Sequence, residues 1–238
     1  MKDCDCVILC GGLGARLQSV VKDVPKVMAE VNGAPFLDLI VGHLKGQGIE
    51  RVVLCTGYKA NFVENYYRDH DFGITIDFSR ENEPLGTGGA LRNAREIISS
   101  DPFFVLNGDS FISVDLQAFL DFHREKKALA SVLVSQVNQA KDFGSVQLDQ
   151  SGKITGFCEK MKDDVQPLVN AGIYCFDQAV FSCMPEDEKF SLETDFFPAL
   201  EGKEFYGYRS DQEFIDIGTP QRYESMKEDF KKDKNIGH

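Results

Sequence analysis

Short apolar runs alternate with amphipathic stretches along the first half of the chain. Four runs rich in Val, Ile, Leu, Cys and Phe have the length of buried strands: 6–10, 51–56, 74–78 and 102–106. The stretches between them have helical periodicity: 36–46, 60–67 and 88–98. Strands and helices that alternate at this spacing predict βαβ units and a mainly parallel sheet. Because ligands bind such sheets at the carboxyl ends of the strands, polar motifs at those ends are the candidate functional residues.

The pattern changes after about residue 128. Strand-like runs then follow one another with only short polar turns between them: 129–134, 145–148, 153–159 and 168–176. This pattern predicts an antiparallel portion in the second half of the chain. A closing helix is expected over 220–230, and the charged segment 231–238 is expected to be a frayed tail.

Composition narrows the class of protein. The chain has 238 residues, of which 42% are hydrophobic and 27% charged, and this suits one α/β domain. A net charge of −12 without a basic cluster argues against nucleic acid as a partner. No segment resembles a signal peptide and no apolar run approaches about 18 residues, so we expect a soluble, cytoplasmic protein that does not bind a membrane.

The seven cysteines are odd in number and lack metal-ligand spacing. Five of them lie in or beside apolar runs: Cys4, Cys6, Cys10, Cys55 and Cys175. This placement predicts small buried hydrophobic side chains in a reducing compartment.

A glycine-rich segment follows the first strand. Gly11, Gly12 and Gly14 begin where the apolar run ends, so backbone N–H groups can approach phosphate oxygens without a Cβ in the way. Arg16 and Lys26 then supply the two positive charges that a triphosphate undergoing substitution needs. The segment is not a P-loop, and it fails the dinucleotide fingerprint because Arg16 stands where the third glycine should be. A glycine-rich turn without a ligand is the remaining alternative.

The third strand is followed by a second glycine-rich segment, ENEPLGTGGA over 81–90. Gly86 and Thr87 open a helix whose free N–H groups can hold a base and ribose, although a plain helix cap by Thr87 is an alternative. Glu81 carries a carboxylate, which only accepts hydrogen bonds, so it suits a base edge with two donors. Guanine has such an edge and adenine does not. A solvated loop carboxylate is the alternative for Glu81.

Together with Asn-Gly-Asp at 107–109 and Ile-Asp-Ile-Gly at 215–218, these segments resemble the signature of the sugar-phosphate nucleotidyltransferases. These enzymes join a sugar 1-phosphate to a nucleoside triphosphate. The resemblance implies a three-layer Rossmann-like α/β nucleotidyltransferase fold, with a mainly parallel mixed central sheet and an appended antiparallel sugar-binding portion. It further implies a single domain over 1–230, with a nucleotide-binding half over about 1–125 and a sugar-phosphate-binding half over about 126–230.

The resemblance also implies roles for individual residues. Arg16 and Lys26 would be catalytic, and Asp109 and Asp216 would hold Mg²⁺. The implied nucleotide-binding residues are Leu9, Gly11, Gly12, Gly14, Glu81, Gly86, Thr87, Gly108 and Asp109. The implied residues for the sugar phosphate are Gly144, Glu159, Lys160, Asn170, Gly172 and Glu193. The alternative for Asp109 is a turn aspartate, and the alternative for Asp216 is a helix-entry aspartate. Capping by Ser191 explains the segment around Glu193 nearly as well.

The implied substrates are GTP, or another nucleoside triphosphate, and a sugar 1-phosphate. Uridylyl- and thymidylyltransferases of the family commonly have glutamine where Glu81 stands, and this difference favours GTP. Within the family, the chain resembles guanylyltransferases that act on D-glycero-D-manno-heptose 1-phosphate. Three alternatives stay open. They are guanylyl transfer to mannose 1-phosphate, uridylyl or thymidylyl transfer to another hexose 1-phosphate, and a non-catalytic regulatory subunit of the same fold. A homodimer is also open, as is delivery of the product to a capsule, a lipopolysaccharide or an S-layer.

Overall fold

The computed structural model describes residues 1, 3–136, 145–158 and 168–232. The strands in these ranges are β1 Cys6–Leu9, β2 Glu30–Val31, β3 Ala34–Pro35, β4 Arg51–Thr56, β5 Thr75–Arg80, β6 Phe103–Asn107, β7 Ser110–Ile112, β8 Ala130–Gln136, β9 Ser145–Leu148, β10 Ile154–Cys158, β11 Leu168–Phe176, β12 Phe205–Ser210 and β13 Phe214–Asp216. The α-helices are α1 Phe36–Gly46, α2 Ala60–Asp69, α3 Gly86–Asn93, α4 Leu116–Glu125 and α5 Pro220–Lys232.

A nine-stranded sheet runs through the molecule in the order β10-β9-β11-β6-β1-β4-β5, and β8 pairs with both β11 and β12. The strands β5, β4, β1 and β6 are parallel, as the alternation of strands and helices predicted. β11 pairs antiparallel with β6, β8 and β9, so the second half of the chain extends the same sheet. The predicted mixed sheet with an antiparallel portion is confirmed.

The order of the parallel strands creates a topological switch point between β1 and β6. From β1 the chain passes to β4 and β5 on one side, and it then returns to form β6 on the other side. Ligands of open α/β sheets bind at such a point, outside the carboxyl ends of the strands. Here the two strand ends are held together, because Gly108 N donates to Leu9 O at 2.9 Å. A Cβ at Gly108 would lie only 2.9 Å from the same oxygen, so this close approach requires glycine.

Helices and turns cover both faces of the sheet, which gives the predicted three layers. Alternate side chains of each strand enter opposite cores, as Ile8 and Val7 do. One core contains the buried faces of α1, α2, α4 and α5. The other contains α3 and the short helical turns around Phe181 and Phe196.

The five cysteines that were expected to be buried are all buried free thiols. Burial raises the pKa of Cys4 to about 11 and that of Cys55 to about 12, so both thiols are neutral at physiological pH. They act as small apolar side chains, as predicted. Within the described part of the chain, no helix has both the length and the apolar character to span a membrane.

The element boundaries differ from the sequence prediction in a few places. α3 covers Gly86–Asn93 and is followed by a separate 3-10 turn at Arg95–Ile97, where one helix was expected over 88–98. The structure adds α4, which the sequence analysis missed although its buried Leu116, Phe119 and Leu120 have helical spacing. α5 extends to Lys232, two residues into the expected tail. β8 matches the expected strand over 129–134 with a small shift. β10 matches the expected strand over 153–159, of which residue 159 lies outside the described residues.

Candidate active site

A cavity of about 630 Å³ opens at the carboxyl ends of β1, β4, β5 and β6. Ten of the predicted residues line it: Leu9, Gly11, Gly12, Gly14, Arg16, Lys26, Glu81, Gly86, Thr87 and Asp109. Gly108 lies directly behind this wall, where Val27 and Leu9 O leave no room for a side chain. The fold therefore brings the two glycine-rich segments and the Asn-Gly-Asp segment to one place, although they are far apart in sequence.

An ion pair in the cavity joins two predicted functional residues. Lys26 Nζ donates to Asp109 Oδ2 at 2.6 Å, and the Lys26 side chain is only 10% exposed. Gly14, with φ +58°, packs against the stem of this lysine, since a Cβ at Gly14 would lie 2.7 Å from Lys26 Cβ. The glycine-rich segment thus covers Lys26 and leaves its ammonium group at the cavity wall.

Asp216 lies beside Asp109 in the backbone but has different partners. Ile217 N donates to Asp109 O at 3.0 Å, and Asp216 pairs with Ser110 across the β13–β7 ladder. The Asp216 carboxylate accepts from Arg222 at 2.7 Å and from Gly218 N at 2.9 Å. Gly218 lines the cavity, whereas Asp216 is not part of the lining. The contacts of Asp216 lie at the entry to α5, where a helix-entry role was the alternative for this residue.

The donor set of the two aspartates fits Mg²⁺. In the described residues, no group of three or more His, Cys, Asp or Glu side chains is arranged to hold a metal ion. Mg²⁺ does not need such a group, because proteins usually hold it with one or two carboxylates together with substrate phosphates and water. Asp109 and Asp216 offer hard oxygen donors on adjoining backbone segments. In the structure Asp109 is paired with Lys26, and Asp216 is paired with Arg222. A metal ion would compete with these cations.

Glu81 lies on the cavity wall formed by the ends of β1, β4 and β5. Its Oε2 accepts from Leu85 N at 3.1 Å. Burial raises the pKa of the Glu81 carboxyl above its usual value, against the opposing effect of the Leu85 hydrogen bond. The carboxylate is therefore incompletely solvated before any ligand binds, and new hydrogen-bond donors would stabilise it.

Thr87 does not cap its helix. The residue before α3 is Leu85, and the Thr87 hydroxyl instead accepts from Leu192 N at 2.8 Å and donates to Glu193 Oε2 at 2.8 Å. The same carboxylate oxygen accepts from Ser191 Oγ at 2.7 Å. Ser191 also caps the short π-helical turn Leu192–Phe196, as the alternative for this segment predicted. A residue expected on the nucleotide side thus contacts one expected on the sugar side.

The other described residues of the predicted sugar side continue this network. Tyr174 OH donates to Glu193 Oε1 at 3.2 Å and accepts from Asn170 Nδ2 at 2.9 Å. Asn170 Oδ1 accepts from Gly172 N at 2.9 Å, and Gly172 has φ +72°, which favours glycine. Asn170, Gly172 and Glu193 lie outside the lining of the cavity but are connected to it through Thr87. Gly144, Glu159 and Lys160 lie outside the described residues, and their roles stay predictions.

The cavity lining also includes Gly57, Tyr58 and Lys189, which belong to none of the sequence motifs described above. Gly57 and Tyr58 directly follow the parallel strand β4, and this position was a usable signal. Lys189 had no local signal. It reaches the cavity because Phe190 N donates to Leu85 O at 3.0 Å and Gly88 N donates to Phe190 O at 3.0 Å.

The Rossmann-like sheet places the cavity at its switch point, which is where α/β proteins of this kind bind their ligands. A family model described as nucleotidyl transferase matches residues 5–233, and the chain belongs to this family. It is a transferase, as the sequence predicted.

Known relatives extend over nearly the whole chain. The D-glycero-alpha-D-manno-heptose 1-phosphate guanylyltransferase of Aneurinibacillus thermoaerophilus is 37% identical over 227 residues, which cover 95% of this chain and 98% of that protein. The protein of the same description from Campylobacter jejuni is 39% identical over 217 residues, covering 91% and 96%. The structure of HddC from Yersinia pseudotuberculosis complexed with GMP-PN is 35% identical, with a TM-score of 0.83 and coverage of 95% and 99%. The resemblance identified from the motifs is confirmed.

Proposed function

We propose that this chain transfers GMP from GTP to the phosphate of D-glycero-α-D-manno-heptose 1-phosphate and releases pyrophosphate. The observation that carries the proposal is the cavity, whose wall combines Lys26, Arg16 and Asp109 with the acceptor-only side chain of Glu81. The sugar is proposed from the descriptions of the Aneurinibacillus and Campylobacter relatives. The guanine nucleotide in the Yersinia structure supports the choice of GTP.

The proposed reaction is an in-line displacement at the α-phosphorus. A phosphate oxygen of the sugar phosphate forms a bond to this phosphorus, while the bond to the oxygen that bridges the α- and β-phosphates breaks. The nucleophile is already an anion near neutral pH, so the reaction needs no general base. Catalysis then consists of positioning two anions and neutralising the repulsion between them.

Two cationic side chains are proposed to contribute to this neutralisation. Lys26 is proposed to exchange its contact with Asp109 for one with the α-phosphate, where negative charge increases in the transition state. Arg16 is proposed to hold the β- and γ-phosphates and to stabilise the leaving pyrophosphate. Asp109 and Asp216 would hold Mg²⁺, which when bound acts as a Lewis acid on phosphate oxygens.

The sugar phosphate is proposed to bind on the side of the cavity defined by β11 and the turn around Glu193. Lys160 would hold its phosphate, because an ammonium group is a compact charge suited to an anion. Asn170, Glu159 and Glu193 would contact sugar hydroxyls, with Gly144 and Gly172 allowing close approach. The hydrogen bonds from Asn170 through Tyr174 to Glu193 support this assignment, because they fix the orientation of both polar side chains. The reaction is proposed to take place in the cytoplasm and to supply a capsule, a lipopolysaccharide or an S-layer.

A screen of pyrophosphate release tests the proposal. Each common nucleoside triphosphate is paired with heptose, mannose, glucose and N-acetylhexosamine 1-phosphates in the presence of Mg²⁺. GTP with the heptose 1-phosphate should give the highest kcat/KM, and the Lys26→Ala variant controls for contaminating activity. A preference for mannose 1-phosphate, or for UTP or dTTP, would replace the proposed substrate by that one. Nucleotide binding without turnover for any pair would identify a non-catalytic member of the fold.

A further inference from the structure

The Glu81 carboxylate occupies a slot between two glycines. The Glu81 backbone follows β5 and is held beside β4, since Glu81 N donates to Thr56 O at 2.9 Å. A Cβ built on Gly57 would lie 2.4 Å from Glu81 Oε1, and a Cβ built on Gly11 would lie 2.7 Å from the same atom. Tyr58 N donates to Gly11 O at 3.0 Å, so the two glycine segments are fixed to each other. The slot exists only because both residues lack a side chain.

The slot fixes the direction of the carboxylate as well as its position. Leu85 N holds Oε2 from one side at 3.1 Å, while Gly11 and Gly57 enclose Oε1 from the other. All three flanking segments contribute to the cavity, so a ligand in the cavity meets this carboxylate in one orientation. A carboxylate in a fixed orientation discriminates between base edges better than a mobile one, because a mismatched donor or acceptor cannot be relieved by rotation.

We propose that Gly57 is a positioning residue for nucleotide selection, whose bare Cα lets Glu81 present its carboxylate to the donor edge of guanine. This inference rests on the proposed function, in which Glu81 reads the base. A side chain at position 57 displaces the carboxylate from the slot. The two hydrogen bonds to guanine N1–H and N2–H₂ are then lost or bent, whereas a base that does not depend on them is less affected.

Alanine is a suitable probe at position 57. Gly57 is not among the glycines with positive φ, so an L-residue fits its backbone conformation. The added methyl group would meet Glu81 Oε1 at 2.4 Å, Glu81 Cγ at 2.8 Å and Gly11 O at 2.9 Å. The first two atoms belong to a side chain that can move, and the third belongs to the backbone of the glycine-rich segment that follows β1. Gly57→Ala should therefore change base selection through Glu81 and lower activity with every nucleotide through Gly11.

A double-mutant cycle separates the two effects. The ratio of kcat/KM for GTP to kcat/KM for UTP is measured with one sugar phosphate in wild type, Gly57→Ala, Glu81→Ala and the double variant. Glu81→Ala should lower the ratio by about ten- to a hundred-fold and Gly57→Ala by about ten-fold, because both remove matched donors and acceptors from the base site. In the double variant the ratio should be no lower than in Glu81→Ala, since residue 57 then has no carboxylate to displace. Gly42→Ala is the matched control, because its Cβ meets no atom within 4 Å.

Each outcome bears on a different part of the inference. An unchanged ratio in Glu81→Ala, or a wild-type preference for UTP, would show that Glu81 does not read guanine, and the base-reading part of the proposed function would fail. A lowered ratio in Glu81→Ala with an unchanged ratio in Gly57→Ala would overturn the role of Gly57 alone. The role of Gly57 would also be overturned if Gly57→Ala lowered the ratio equally with and without the Glu81 side chain.

The inference stays testable if Gly57→Ala is too unstable to assay. Its melting temperature is then compared with those of the double variant, of Glu81→Ala and of Gly42→Ala. A larger gain in stability on removal of the Glu81 side chain from Gly57→Ala than from wild type supports the contact across the slot. An equal gain in both backgrounds contradicts it, because the methyl group would then act on Gly11 O alone.

Discussion

Lys26 and Asp109 neutralise each other across 2.6 Å, although they are proposed to act on different parts of the metal–triphosphate complex. The contact holds the ammonium group at the cavity wall. It also means that neither residue is free before binding. In the proposed mechanism, binding of the nucleotide with Mg²⁺ would replace this ion pair by two contacts, one from Lys26 to phosphate and one from Asp109 to the metal.

The first prediction concerns the two cations of the cavity. Lys26→Ala and Arg16→Ala should each lower kcat/KM by at least about 10²-fold, as the loss of a contact to transition-state charge typically does. Lys22→Ala is the control, since Lys22 is an exposed lysine of the same segment that does not line the cavity. Steady-state pyrophosphate release measures the effect, and near-wild-type turnover in either variant would contradict its catalytic role.

The second prediction concerns the metal. Asp109→Asn and Asp216→Asn should each raise the Mg²⁺ concentration needed for the half-maximal rate, because an amide is an uncharged and weaker ligand. Titration of the rate with Mg²⁺ at saturating substrates gives this concentration, with Asp115→Asn as an exposed aspartate control outside the site. A change in the Asp109 variant alone would leave Asp216 with only its structural contacts to Arg222 and Gly218.

The third prediction uses the raised pKa of Glu81. A carboxyl whose pKa is higher in the folded than in the unfolded state stabilises the fold fully below the unfolded pKa, and this contribution is lost as the pH rises through the folded pKa. Glu81→Gln keeps an acceptor for Leu85 N but carries no charge. Without nucleotide, its melting temperature should therefore exceed that of wild type at neutral pH, and the two should converge below pH ~4.

The matched control for this measurement is Glu83→Gln, an exposed glutamate two residues away. Thermal unfolding across the pH range gives both differences. A Glu81→Gln difference that does not vary with pH would show that the charge of Glu81 is not its cause.

At the scale of elements, the start of α3 is held by a distant segment rather than by a local cap. Gly88 N and Gly89 N both donate to Phe190 O, at 3.0 and 3.2 Å. The Thr87 hydroxyl adds the contacts to Leu192 N and Glu193 described above. Hydrogen bonds between α3 and the turn around Glu193 therefore connect the two sides of the site that are proposed to bind the nucleotide and the sugar.

The fourth prediction tests this connection. Thr87→Val should lower the free energy of unfolding by about 1–3 kcal/mol, because Leu192 N loses its acceptor in a partly buried position. It should also raise KM for the sugar phosphate, since Glu193 loses a partner that orients it. Thr87→Ser keeps the hydroxyl and should behave as wild type in both respects. Chemical denaturation and sugar-phosphate kinetics give the two values, and equal behaviour of the Val and Ser variants would exclude a role for the hydroxyl.

At the scale of the whole molecule, the net charge of −12 contrasts with the two anionic substrates that are proposed. In the described residues, the cavity lining contains three cationic side chains, Arg16, Lys26 and Lys189, and three acidic ones, Glu81, Glu83 and Asp109. These formal charges cancel. A bound divalent cation would then supply the excess positive charge that a triphosphate requires, which agrees with the proposed need for Mg²⁺.

The fifth prediction concerns cooperativity. β11 pairs with β6, so the sheet is continuous between the two halves that are expected to bind the nucleotide and the sugar phosphate. Both halves also contribute buried side chains to the same two cores. The chain should therefore unfold in a single calorimetric transition with equal calorimetric and van't Hoff enthalpies. Two resolved transitions would contradict the expectation of one domain over 1–230.

The sequence by itself determined where the site would lie. Gly11, Gly86 and Asp109 follow apolar runs that are long enough for strands, and parallel strands place their carboxyl ends at one edge. Some backbone conformations also require glycine, and such positions can be recognised in the sequence. Examples are the close approach at Gly108 and the positive φ at Gly14. For this reason ten of the predicted residues line one cavity.

Only the tertiary structure decided how these residues are paired. Two contacts join segments that are far apart in the chain: Lys26 with Asp109, and Thr87 with Glu193. The distant residue Lys189 likewise reaches the cavity only in the folded chain. Residue type does not encode such pairs, because many partners satisfy the same charge or hydrogen bond and the packing of the sheet selects one of them. The slot that holds Glu81 between Gly11 and Gly57 arises in the same way, since three strand ends must meet before two missing side chains leave a space of the right shape.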